Sequence, residues 1–297
     1  MNEQKQHKWS KEEFAKMMND KRQSLFNMAN EQVEKAVESA DNFLTYLNLK
    51  SQLDYTVTNT LLVMAQNPNA TQLKDISHWR EDNKYIRKGQ KGIQILEPGE
   101  YTRKDGSAGI SYNPKFVFDI SQLQGKNNHI HSPEYSTKEI LSALIYKKDI
   151  LPEVIEQDTK SFERVYFDPE SQKILVKDGL DPKAMINGII REYCMIEYMD
   201  MGATREEASF QAECSAYMIS RRYRIGDYNT MFISSSNEHF FSMNPKEIKQ
   251  ELENISRVTD SVSTNIKYGL YAQQEQTKQK EAGEHERCGK RGASPQV

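Results

Sequence analysis

The sequence lacks any apolar run of about 18 residues, so no segment is expected to cross a bilayer. Its opening stretch, MNEQKQHKWSKEEF, has no hydrophobic centre, and no secretory signal is expected there. Only three cysteines occur, Cys194, Cys214 and Cys288, and none forms a CxxC pair. That excludes a disulfide framework and a zinc ribbon, and points to reduced thiols in a cytoplasm. An excess of charge is missing too. Forty Lys and Arg against 43 Asp and Glu give a net charge of −3, so any binding to nucleic acid must come from a local patch. Apolar residues make up 37% of 297, enough for two domains with modest cores. No internal repeat is present.

What is present reads as an α+β chain. Ser10 and Glu13 have the spacing of a capping box. Apolar residues then recur at helical intervals to about Leu49, as one long helix or two. VTNTLLVMAQ, 57–66, predicts a short helix stopped by Asn67-Pro68. A new element starts at Ile76. Residues 91–96 and 115–120 predict strands, the first ending at Pro98-Gly99, with a hairpin turn at Lys104-Asp105-Gly106. This first domain, 1–125, is a helical segment with a small antiparallel sheet. The polar stretch 124–136 reads as a linker. A mainly helical second domain, 137–272, holds a β-hairpin at 163–176 and helices from Pro182, Thr204 and Pro245. The tail, 273–297, is expected to be disordered.

Between Lys74 and Lys91 six cations face three acids, and 84–91 holds four cations and no acid. Single-stranded nucleic acid needs such charge beside aromatic faces. Composition alone would make this a solvated turn. Candidate contacts are Lys84, Tyr85, Arg87, Lys88 and Lys91, with Arg103 and Lys104 extending the patch. Trp79 is either a stacking face or a core anchor. Asn59, Gln66 and Asn67 either reach phosphates and base edges or cap the helix and the turn.

Three blocks carry a resemblance: YTVTNTLLVMAQNPNAT at 55–71, HWREDNKYIRKGQKGIQILEP at 78–98 and FVFDISQ at 116–122. In order and spacing, the segment resembles the N-terminal single-stranded-DNA-binding domain of the ArdC-type antirestriction family of mobile elements. That resemblance implies single-stranded DNA as partner, and it tips the cationic stretch from turn to binding loop. Family members often carry a zinc-metallopeptidase-like domain next, and the second domain resembles it in layout.

The helix that should read HExxH reads Arg191-Glu192-Tyr193-Cys194-Met195 here. Glu192 keeps the general-base position, both histidine positions are changed, and Glu213 stands at the downstream acidic position. A guanidinium has no lone pair for a metal, and a thioether is a poor zinc ligand. None of the six histidines lies within or between these two helices. The expectation is therefore a degenerate zincin-like domain with no metal, no cofactor and no catalysis, in which Arg191 takes the metal's place and pairs with Glu213 or Glu192. The chain then reads as a non-catalytic, cytoplasmic single-stranded-DNA-binding protein of a plasmid, conjugative element or phage, with no membrane partner. Proteins of a conjugation or phage apparatus are further candidate partners. A protein-interaction scaffold built on the pseudo-peptidase domain is the alternative, and a working metalloprotease is disfavoured by its missing ligands.

Overall fold

A computed structural model describes residues 10–103, 105–125, 134–156, 163–226 and 228–291, with side chains described through 279. The linker expected at 124–136 and the last six residues of the tail lie largely outside that set. The chain forms two compact units, 1–131 with 231–253, and 132–230 with 254–297. The contiguous part of the first runs to 131, and a distant segment, 231–253, belongs with it.

In the first unit Ser10 and Glu13 form the expected capping box and start α1 (Lys11–Val37). Ser39 then accepts a hydrogen bond from the Asn42 N–H and restarts the chain as α2 (Ala40–Gln52). Leu25, Ala29, Val33 and Ala36, three or four residues apart, give α1 one buried face. The largely apolar α3 (Val57–Gln66) ends at its cap, Asn67. Next come β1 (Leu73–Lys74), α4 (Ile76–Glu81), β2 (Lys84–Ile86), β3 (Ile93–Thr102), β4 (Ala108–Asp119) and β5 (Leu123–Gly125).

β3 and β4 form an antiparallel hairpin, in register from Ile93–Val117 to Thr102–Ala108, and β1 pairs with the far side of β4. β2 and β5 make a separate two-stranded ribbon. β3 runs past Pro98-Gly99, where the sequence predicts its end. It is an edge strand, so a proline without an N–H is tolerated.

The open edge of β3 is closed by side chains. Asn59 donates to the Leu96 carbonyl and accepts from the Leu96 N–H, both at 2.9 Å. Two helical turns on, Gln66 does the same to Gln94, also at 2.9 Å. Each carboxamide thus stands in for a residue of a neighbouring strand, and together they fix α3 along the sheet. From the returning segment, α8 (Ser236–Phe240) sets Phe240 edge-on to Phe43, with ring centroids 5.2 Å apart.

The second unit opens with α5 (Thr137–Leu144). Its sheet is β6 (Pro152–Ile155), β7 (Val165–Asp168) and β8 (Lys173–Lys177). β7 and β8 make the expected hairpin, while β6 joins β8 in parallel, which local turn signals do not reveal. α6 (Pro182–Asp200) and α7 (Arg205–Tyr223) start at Asp181 and Thr204 caps. Gly188 lets β7 lie against α6, since a Cβ there would sit 2.7 Å from Val165 Cγ2. α9 (Pro245–Arg291) continues well past residue 272, so the tail expected to be disordered is helical through Arg291. Its Gln, Glu, Lys and Ala content favours helix, and Lys278 pairs with Glu275 at 2.9 Å. Among the described residues no helix is long and apolar enough to cross a membrane.

Replacing Asn59 by alanine strands the buried N–H and C=O of Leu96. The expected loss in unfolding free energy is about 2–4 kcal/mol, read from the denaturant midpoint. Gln66→Ala, at a half-buried position, is expected to cost less.

Candidate functional site

The cationic loop of the first unit, 87–92, is built on the segment that follows β4. Asp119 accepts from the N–H groups of Thr71 at 2.6 Å, Gln72 at 3.0 Å and Ser121 at 2.8 Å. Burial pushes the Asp119 carboxyl up, but the bonds from Ser121, Thr71 and Gln72 outweigh it and hold it below its usual range. Gln122 then reaches across. Its side chain donates to the Lys91 carbonyl at 2.8 Å, and its own carbonyl accepts from the Arg87 N–H at 3.0 Å. The Arg87 guanidinium donates to the Ser121 carbonyl. Gly89, at φ +85°, lets the backbone turn.

With its backbone tied down, the loop presents Arg87, Lys88 and Lys91 to solvent, and the two lysines have no salt bridge among the described residues. Tyr85 on β2, opposite Gln124, is 54% exposed.

The other expected contacts are placed differently. The Asn59 and Gln66 carboxamides hold the edge of β3. Asn67 accepts from the Asn69 N–H at 3.2 Å and shapes the turn at Pro68. Trp79 is fully buried, and its Nε1–H donates to the Phe118 carbonyl at 2.8 Å, so of its two readings the core anchor holds. Lys84 is buried, with its Nζ 5.7 Å from the Trp79 ring centre; Lys74 lies 5.3 Å from that centre. Lys84 therefore packs on the tryptophan instead of facing solvent. Arg103 donates within its own turn, to Ser107 Oγ at 3.2 Å and the Ala108 carbonyl at 3.0 Å. Lys104 lies outside the described residues. Sequence reasoning passed over Phe116, which is 49% exposed next to this loop. The signal was there, since the bulky Phe116 and Phe118 alternate with Val117 beside the glycine of Lys91-Gly92.

The second unit holds a different centre. Glu192 on α6 is fully buried, and its carboxylate accepts from the Phe167 N–H of β7 at 2.7 Å. Arg191 donates to it at 2.9 and 3.1 Å, and Arg205, at the start of α7, at 2.7 and 3.0 Å. Arg191 also reaches Glu163 at 2.8 Å, the Val165 carbonyl at 3.0 Å and Glu213 at 3.3 Å. Tyr228 donates to Glu213 at 2.7 Å, and Arg205 also pairs with Glu163.

Burial works against the charge of Arg191, but Glu192, Glu163 and Glu213 more than offset it and hold it above its ordinary range. Burial, then the charge of Glu213, pushes the Tyr228 hydroxyl well up. Burial likewise raises the Cys194 thiol, keeping it protonated and unreactive. Met195 packs in the core with Ile190 and Tyr198. The expected Arg191 pairing is present with both glutamates. Arg205 and Glu163 were not anticipated. The hint was a cation in the first turn of a helix, where the dipole disfavours it.

No family model matches the sequence, and no curated protein does either. Among solved structures, the metal-free crystal structure of the antirestriction protein ArdC from plasmid R388 superposes with a TM-score of 0.55. The two are 15% identical, over 82% of this chain and 99% of that one. The Mn(II)-bound structure of the same protein gives 0.48, at 13% identity over 76% and 95% of the two chains. The first likeness establishes the fold.

A metal of the kind implied by the zinc-peptidase resemblance does not fit this centre. Glu192, Glu163 and Glu213 already accept from guanidinium groups, and Arg191 and Met195, where the resemblance would place histidines, supply a cation and a buried thioether. Among the described residues no cluster of three or more His, Cys, Asp or Glu could hold a metal ion.

Glu192→Gln leaves two arginines facing a neutral amide. The expected loss is about 3–5 kcal/mol, seen as a lower thermal midpoint of the second unit. An unchanged midpoint would show that the network is not the clasp of that unit. For Asp119 the carboxyl titrates lower folded than unfolded. Its stabilisation is thus complete above the unfolded value of about 3.9 and is lost as pH falls through the folded one. Urea midpoints should drop from neutral pH into that acid range in the native protein, and drop less in Asp119→Asn.

Proposed function

We propose that this chain, which has the fold of a plasmid antirestriction protein, binds single-stranded DNA through its first unit and performs no catalysis. The observation that carries the reading is the loop 87–92, whose backbone is tied down while Lys88, Lys91 and Tyr85 stay exposed. A fixed loop loses little conformational entropy when it meets a strand. Its ammonium groups suit phosphates and the phenol ring suits a base, so the binding is largely indifferent to sequence. The non-catalytic half of the reading is supported by Arg191, whose guanidinium occupies carboxylates that a metal would need. In the cytoplasm of a host cell, such a protein of a conjugative element, plasmid or phage would cover and protect entering single strands, an antirestriction role.

A second reading, docking of a protein segment, is favoured by one feature of the second unit. A cleft of about 570 Å³ is lined by Tyr146, Tyr268 and Tyr271 with Lys147 and Asn265. Tyr268 and Tyr271 stand mostly exposed on α9, as aromatic anchors at protein interfaces do before a partner arrives.

Titration of a short single-stranded oligonucleotide at several salt concentrations tests the first reading. Each phosphate contact contributes a slope of about 0.7 in log affinity against log salt. Replacing Arg87, Lys88 and Lys91 together by alanine is expected to flatten the slope by about two units. An unchanged slope would move the binding surface elsewhere.

A further inference from the structure

Phe116 is a large apolar side chain left half in water, directly before two buried residues, Val117 and Phe118. Strand alternation sends it to the face it shares with its cross-strand partner Gln94. Further along that face Leu96 is covered by Leu25 and Ala29 of α1, and Tyr112 meets the edge of Phe26 at 6.0 Å. The ring of Phe116 is not covered in this way.

It is nevertheless held in place. A Cβ at residue 92 would lie 2.9 Å from Phe116 Cδ1 and 3.2 Å from its Cβ, so the side chain rests on bare backbone that only glycine provides. Residue 91, directly before, has its carbonyl fixed by Gln122 at 2.8 Å. The glycine therefore seats an exposed aromatic side chain against the backbone of the residue that follows Lys91, where the loop enters β3.

We infer that Phe116 is a base-stacking residue of the cationic loop, and that the ligand class it selects is a strand with unpaired bases. The inference rests on the proposed reading of that loop and adds its selectivity. Lysines alone grip any polyanion, and that grip fades with salt. An exposed π face adds an increment that requires a free base and depends little on salt. In a duplex the bases already stack on one another, so the increment is withheld there.

Fluorescence polarisation with a labelled oligothymidine, and with the same sugar–phosphate strand lacking its bases, separates the two contributions in the full-length protein. Phe116→Ala should weaken binding of the base-bearing strand about tenfold, leave the abasic strand unaffected and keep the salt slope. Phe116→Leu, which still covers Gly92 but has no π face, should behave like alanine. Phe116→Trp should bind like the native protein. Equal losses on both strands, or none on the base-bearing one, would overturn the stacking role and leave the cationic loop standing. Failure of the native protein to bind either strand in dilute buffer would overturn the loop reading itself, and this inference with it.

Discussion

A backbone N–H or C=O that leaves water must find a partner, and much of this structure follows from how side chains supply one. The edge of β3 is paired by the carboxamides of Asn59 and Gln66 instead of by another strand. The turn after β4 is gathered on Asp119, and Gln122 extends that grip to the cationic loop. In the second unit the N–H of Phe167 ends on Glu192. Asn59, Gln66 and Glu192 are helix side chains reaching a strand, while Asp119, at the end of β4, and Gln122 reach turns and loops. Each fixes the place of a larger feature: α3 along its sheet, the loop under Lys88, and β7 against α6.

Local signals made most elements legible in the sequence. Ser10, Thr204 and Pro182 mark helix starts because capping and a fixed proline φ act within a few residues. Chain-distant pairings were not legible. β6 beside β8, and residues 231–253 in the first unit, depend on contacts that no periodicity announces. The same divide runs through the candidate site. Tyr85, Lys88 and Lys91 sit in a polar stretch and are exposed, as their surroundings suggest. Asn59, Gln66, Trp79 and Lys84 looked equally suited to a ligand, yet they are taken up by the backbone of β3, the carbonyl of Phe118 and an indole face. A polar side chain near a basic loop has two possible employers, and sequence does not say which one is nearer.

The ion-pair centre of the second unit is held by charge balance. Three carboxylates around a cation need a compensating positive charge whatever its source. Here two guanidinium groups supply it, delivered by α6 and α7 and permanently protonated. A covalently attached cation cannot dissociate, exchange or be chelated. It also satisfies backbone that a bare ion would leave alone, as Arg191 does at the Val165 carbonyl. The outcome is a packed joint between β7 and two helices.

The returning segment sets an order on biosynthesis. The first unit lacks Phe240 against Phe43 until residues 231–253 have been made, about 100 residues after the rest of it is finished. At about 5–20 residues per second, a growing chain waits roughly 5–20 s with that flank of its core uncovered. The second unit waits as well, since Val258, Val262 and Ile266 belong to its interior. Both halves therefore complete only once these late segments have been made, and a ribosome stalled before residue 231 would leave a chain in which neither interior is closed.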